Sequence, residues 1–380
     1  MDPTPEPRSP TSQSLEAPPD GLAIEQVYTL LQRCFALNAP PDFQVIPLLG
    51  DASDRRYYRL RFASPVGGIA SLVLMRLTQP HPERELPFVN VQRYLAMKGI
   101  PVPQIFCDDA AHGFVLLEDL GDLTLEAALQ DATREQVSIW YREALDILLA
   151  LQDPEAPAPC HSCVAFQLAF DVEKFMWELD FFITHMLKGL CGQQLTSTDE
   201  AALRGQFWKI SARLAREPRV LTHRDYHSRN LMLQAGRLRV IDFQDARLGP
   251  CHYDLASLLN DSYFLLDVQV RDQLLMDYLD RKARLDGHAI DRVAFLQVFD
   301  YMCLQRNLKA LGTFAFQAVV KRNSRYDTAM PRTLMYIQRN LAQHPELRPL
   351  SELLEAHLFA ALPAALPDAG GRTPDRSPTH

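Results

Sequence analysis

At 380 residues the chain is too long for one small core and long enough for two packed lobes. Its 47% hydrophobic and 23% charged residues are ordinary globular composition, which excludes a disordered, fibrous or membrane-dominated chain. A formal net charge of -8, with Lys and Arg scattered among Asp and Glu, repels a nucleic-acid backbone, so no nucleic-acid partner is expected.

Residues 1–20 are rich in Pro and Ser and read as a disordered tail without the basic and apolar segments of a secretory signal. No apolar run reaches the ~20 residues of a membrane-spanning helix, so no membrane partner is expected and the cytoplasm is the expected location. Ile24, Val27, Leu30, Leu31 and Phe35 predict a helix over 24–37. The period then drops to two, predicting strands at 44–48, 57–62, 69–77, 104–107 and 114–117. A helix over 85–98 interrupts them, closed by Gly99 and followed by Pro101 and Pro103. Beyond 119 the pattern turns helical, at 134–151, 171–190, 199–215, 268–285 and 288–311, with strand or loop at 220–233 and 238–243. Three strands, a helix, two strands and then a helical stretch holding one hairpin predict an α+β, two-lobed protein-kinase-like fold. The small antiparallel-sheet N-lobe falls at 21–118, the mostly helical C-lobe at 119–366, and a second disordered tail at 367–380.

Seven cysteines, Cys34, Cys107, Cys160, Cys163, Cys191, Cys251 and Cys303, are odd in number and irregular in spacing, unlike a disulfide framework. Cys160 and Cys163 form one C-x-x-C, but no second ligand pair stands at zinc-site spacing. Reduced thiols are expected.

The chemistry lies in the hairpin. His223-Arg224-Asp225-Tyr226-His227-Ser228-Arg229-Asn230 has the pattern H-R-D-x-x-x-x-N, and Asp242 follows Asn230 by twelve residues. Phosphoryl transfer needs a carboxylate to receive the proton of the attacking hydroxyl, and magnesium to neutralise charge on the β- and γ-phosphates. A loop ending in Asn, then a two-strand hairpin turning at Ala235-Gly236, returns the chain so that Asp242 lies beside that Asn. Asn230 and Asp242 are the expected metal ligands, and Asp225 is the expected base. His227 has no role in this scheme beyond loop packing, and Arg224 is expected to brace the loop.

The phosphate side is less distinct. Leu49 to Tyr58 joins the first two strands, where Gly50 allows a tight turn and Ser53 with nearby amides can contact phosphates; a plain hairpin turn is the alternative. The third strand carries no lysine for positioning phosphates. Arg76 either replaces it, with Glu83 or Glu85 as partner, or is a solvated charge at the strand end.

These residues resemble the aminoglycoside-phosphotransferase superfamily, most closely its bacterial anomeric N-acetylmuramate/N-acetylglucosamine kinases. The resemblance runs over about 25–345 and rests on five segments: Phe114 to Asp122, His223 to Asn230, Ile241 to Ala246, Gly249-Pro250 with Tyr253 to Leu259, and Gln305 to Phe314. The last points to the sugar-kinase branch. The resemblance implies ATP and Mg2+ as cofactors, Glu118 to Leu120 as the hinge whose backbone holds adenine, Asp225 as base, and Asn230 and Asp242 on the metal. It implies phosphorylation of a small-molecule amino sugar at its anomeric hydroxyl in cell-wall recycling. An aminoglycoside or choline kinase and a non-catalytic nucleotide-binding scaffold remain as rivals. Arg306 and Lys309 suit an anionic sugar, whereas Glu178 and Asp180 either face substrate or solvate their helix. Twelve positions between Asp242 and Asp254 are too few for a long activation loop, which disfavours a protein kinase.

Overall fold

The computed structural model describes residues 22–48, 55–79, 85–154 and 162–366. The expected tails at 1–20 and 367–380 lie outside the described residues. Two compact units divide the chain: Met1–Glu85 with Gln104–Asp119, and Leu86–Pro103 with Leu120–His380.

In the first unit, α1 (Ile24–Phe35) packs on a five-stranded antiparallel sheet of β1 (Phe43–Leu48), β2 (Arg56–Val66), β3 (Ile69–Arg76), β4 (Ile105–Asp109) and β5 (Phe114–Glu118). The strand order is β1-β2-β3-β5-β4. The period-two pattern sets the faces. Tyr58, Leu60, Leu72, Leu74, Phe114 and Leu116 are buried in one cluster with Val27, Leu30 and Leu31 of α1. Arg59 and Ser71 alternate with those core residues along β2 and β3. Both bond to the Asp119 carboxylate, Arg59 through Nε at 2.7 Å and Nη2 at 3.0 Å, and Ser71 through Oγ at 2.7 Å. This charge-assisted pair anchors the chain as it leaves β5.

The second unit is mostly helical: α2 (Pro87–Met97), α3 (Leu125–Leu129), α4 (Arg134–Gln152), α5 (Val172–Phe182) continued by a wider π-type stretch Ile183–Leu190, and α6 (Ser197–Leu214). Four short strands follow, β6 (Arg219–Thr222), β7 (Leu231–Gln234), β8 (Arg237–Val240) and β9 (Arg247–Pro250). Then come α7 (His252–Leu259), α8 (Val268–Asp286), α9 (Arg292–Val319), α10 (Met330–Gln343), α11 (Arg348–Leu354) and α12 (Ala361–Ala365). β6 pairs with β9, and β7 with β8, both antiparallel. The β7–β8 turn has Ala235 and Gly236 at positive φ, 48° and 79°, the primed geometry a two-residue hairpin requires. Among the described residues, no helix is long and apolar enough to cross a membrane.

Helix α9 starts later than the expected 288, because the Asp291 side chain caps the amides of Val293 and Ala294. It also continues through Gly312 to Val319. Glycine inside a helix costs about 1 kcal/mol relative to alanine. It is required here because a Cβ would lie 2.8 Å from Phe182 Cα and 3.0 Å from its backbone nitrogen. Gly312→Ala is therefore expected to destabilise the protein by ~1–2 kcal/mol, the overpacking exceeding the gain in helix propensity. A lower urea midpoint with an unchanged slope would show this; an equal or higher midpoint would show that α5 and α9 part freely.

Candidate active site

After Thr222 the chain leaves β6 and runs through His223 to Asn230, held by a carboxylate that reaches out of α7. Asp254 is fully buried, and its oxygens accept the amides of His223 at 2.6 Å and Arg224 at 2.9 Å. Burial pushes its carboxyl above the ordinary range, opposed chiefly by His223. Those two bonds hold Arg224 at φ 84°, a left-handed conformation that arginine rarely adopts. Arg306 of α9 fixes the same turn, donating from Nη1 to the Arg224 carbonyl at 2.6 Å. Its other amino group donates to Ser257 Oγ at 2.7 Å, and its guanidinium carbon sits 4.5 Å from the Tyr253 ring centre.

His223 is buried and links the two ends of the loop. Nε2 lies 2.8 Å from the Ile241 carbonyl, while Nδ1 accepts the Asp225 amide at 3.3 Å. The partners assign a neutral ring protonated on Nε2, and burial pulls its pKa down in the same direction.

The Asp225 side chain retains 25% exposure. Oδ1 accepts from Lys309 Nζ at 2.7 Å and lies 3.7 Å from Arg306 Nη2. Burial works against its ionisation, but the charges of Lys309, Arg224 and Arg306 override it and hold the carboxyl well below the usual range. Burial pulls the Lys309 ammonium down from the usual lysine range, against the attraction of Asp225.

Asn230 donates from Nδ2 to the Asp225 carbonyl at 2.8 Å and lies 3.4 Å from Asp242 Oδ2. Asp242, at φ 64°, also accepts at Oδ1 from Gln244 at 2.7 Å. Asp225, Asn230 and Asp242 are thus gathered as their spacing predicts. No three His, Cys, Asp or Glu residues gather as a metal cluster among the described residues. Two hard oxygen donors suit magnesium, which keeps several waters and takes further ligands from phosphates.

Around this centre, Glu178 is 1% exposed; Oε2 accepts from Gln305 Nε2 at 2.9 Å, and Oε1 lies 3.6 Å from Arg224 Nη2. Arg224 also faces Asp245 at 3.5 Å. Asp180 instead points outward to Arg204 at 3.0 Å. His227 packs its ring 5.1 Å from that of Tyr263, and burial lowers its pKa to about 3, so it stays neutral.

The other sequence expectations concern the nucleotide side and the cysteines. Gly50, Ser53, Glu83 and Cys160 lie outside the described residues. Arg76 is the last residue of β3 and falls in register with the core face of Leu72 and Leu74, whereas Val73 and Met75 alternate to the other face. Glu118 ends β5 in the first unit, its amide bonded to the Gln104 carbonyl at 2.8 Å. Leu120 opens the second unit and makes no backbone hydrogen bond among the described residues.

A model of the phosphotransferase enzyme family, APH, matches residues 44–289. The chain belongs to this family. It is 34% identical over 320 residues to an N-acetylmuramate/N-acetylglucosamine kinase of Pseudomonas aeruginosa, covering 83% of this chain and 88% of that one. A protein of the same name from Neisseria meningitidis serogroup B is 32% identical, covering 82% of this chain and 90% of the relative. The solved structure of the ADP-bound aminoglycoside phosphotransferase APH(2'')-Ib matches with a TM-score of 0.51 at 15% identity, over 82% of this chain and 96% of that one. That likeness is one of fold: a protein-kinase-like architecture with an antiparallel-sheet unit and a helical unit.

Sequence reasoning missed the part played by Asp254. The available signal was a lone carboxylate in His252–Leu259, a helix whose every residue is buried and where an unpaired charge is costly. Such a residue must meet donors, and the amides of His223 and Arg224 are those donors.

Proposed function

We propose that the protein is an ATP-dependent, magnesium-dependent kinase that phosphorylates the anomeric hydroxyl of an N-acetylated amino sugar, N-acetylmuramate or N-acetylglucosamine, in the cytoplasm. The observation that carries this reading is the Asp225 carboxylate, ionised beside Lys309 and Arg306 and joined through Asn230 to Asp242. The named relatives supply the sugar class.

In this reading Asp225 orients the acceptor hydroxyl and takes its proton. A carboxylate held well below the usual range is a weak base, which suits an acidic hydroxyl losing its proton late in a loose transition state. The anomeric hydroxyl is the most acidic on a free sugar. Asn230 and Asp242 would hold magnesium, which when bound neutralises charge on the β- and γ-phosphates. Leu120, whose backbone makes no hydrogen bond among the described residues, and Glu118 are proposed to hold adenine. Gly50 and Ser53 are proposed on the phosphates. Arg76 is the less favoured lysine substitute, given its register with the core face of β3. Lys309, Arg306 and Arg224 around the base repel a cationic acceptor, which weighs against an aminoglycoside or choline.

A free N-acetylated amino sugar is expected to consume ATP, while its 1-O-methyl glycoside, alike at every other position, is expected to be inert. Equal turnover of the two would remove anomeric transfer and leave the kinase assignment standing.

A further inference from the structure

Four groups bond to the Asp225 residue, and only one of them meets its carboxylate. His223, Asn230 and the His227 amide engage its backbone. Lys309 Nζ donates to Oδ1 at 2.7 Å, and Arg306 at 3.7 Å stands too far for a hydrogen bond. Oδ2 accepts no hydrogen bond among the described residues, and the side chain keeps a quarter of its surface exposed. An aspartate with both oxygens free pivots about its last torsion and presents either one to the acceptor. Here the two oxygens are made unequal by a residue 84 positions away. Its helix is set against α5 by the close approach at Gly312.

We propose that Lys309 is a positioning residue for phosphoryl transfer: by occupying Oδ1 it locks the Asp225 carboxylate and leaves Oδ2 as the single proton acceptor. The inference rests on Asp225 being the base. In the step it serves, the acceptor oxygen bonds to the γ-phosphorus as its proton passes to Oδ2. The bond from that phosphorus to the β–γ bridging oxygen breaks, and ADP leaves with the electron pair. A reacting group displaced by about 1 Å forfeits on the order of 10² in rate, so the lock acts on turnover rather than on binding.

The test compares Lys309→Met and Lys309→Arg with the wild type and Asp225→Asn, on N-acetylglucosamine and N-acetylmuramate with MgATP. Lys309→Met is expected to lower kcat on the order of 10²-fold, with the KM of the neutral acceptor, N-acetylglucosamine, and MgATP affinity nearly unchanged. Lys309→Arg, which keeps a charged donor, is expected to recover most of the loss. In the Asp225→Asn background Lys309→Met should cost little more, because a lock has no effect once the base is gone. A raised KM at unchanged kcat would make Lys309 an acceptor ligand. Full additivity of the two losses would place its action elsewhere. Either result overturns the proposal, as does an unchanged kcat. Should Lys309→Met fail to fold, Lys309→Arg and Lys309→Gln carry the same comparison, the amide donor retaining more kcat than a Lys309→Ala chain. If the wild type turned over neither sugar, the sugar reading would fail by itself. The same kcat comparison would then be made on slow MgATP hydrolysis, with water as acceptor.

Discussion

Asp225→Asn is expected to lower turnover by roughly 10²–10⁴-fold while the protein stays folded and still binds MgATP. The amide oxygen of asparagine can still accept from Lys309, so the position of the side chain is conserved and its capacity to take a proton is lost. The backbone contacts that hold the loop, from Asp254 to the amides of residues 223 and 224 and from Asn230 to the carbonyl of residue 225, do not involve the substituted carboxylate. Some stability is lost, since Lys309, Arg224 and Arg306 share that carboxylate as counter-charge. Circular dichroism with calorimetric titration of MgATP separates loss of chemistry from loss of fold. Near-normal turnover would place the base elsewhere.

The second large effect is expected at Asp242. Asp242→Asn is the informative substitution because asparagine tolerates the left-handed backbone at φ 64°, whereas alanine adds strain. It removes one negative charge from the proposed metal ligands and leaves Asn230 in place. A charge-assisted interaction of ~1.5–3 kcal/mol corresponds to a roughly tenfold to hundredfold weaker affinity for MgATP. Affinity for nucleotide without magnesium should change far less. Calorimetry with and without the metal reads both values without relying on turnover, and an unchanged MgATP affinity would remove Asp242 from the metal site.

Asp225 was legible through the H-R-D-x-x-x-x-N pattern, and Asn230 and Asp242 were legible as neighbours because their relation is local. The strands at 231–240 and the Ala235-Gly236 turn form one hairpin, so twelve residues of spacing convert directly into neighbourhood. The Lys309–Asp225 contact spans 84 positions and depends on how α9 crosses α5, which no periodicity encodes. Sequence could still place Arg306 and Lys309 three residues apart on one helical face, a hint of convergent charge. Helix α7 escaped the reading for a different reason: its residues are buried all round, so it has no amphipathic stripe to detect. Buried Glu178 and outward Asp180 were indistinguishable on one helical segment until packing sorted them. On β3, a one-residue difference in register separates Arg76 from Met75, and only strand pairing assigns their faces.

The central claim is that Asp225 directs a phosphoryl group onto an anomeric oxygen. It is tested most directly by phosphorus NMR of the product formed from MgATP and a free N-acetylated amino sugar. The account predicts one new phosphate monoester whose phosphorus couples to the anomeric proton and which hydrolyses readily in mild acid. A phosphorus coupled instead to the protons on C6, in an acid-stable product, would contradict it.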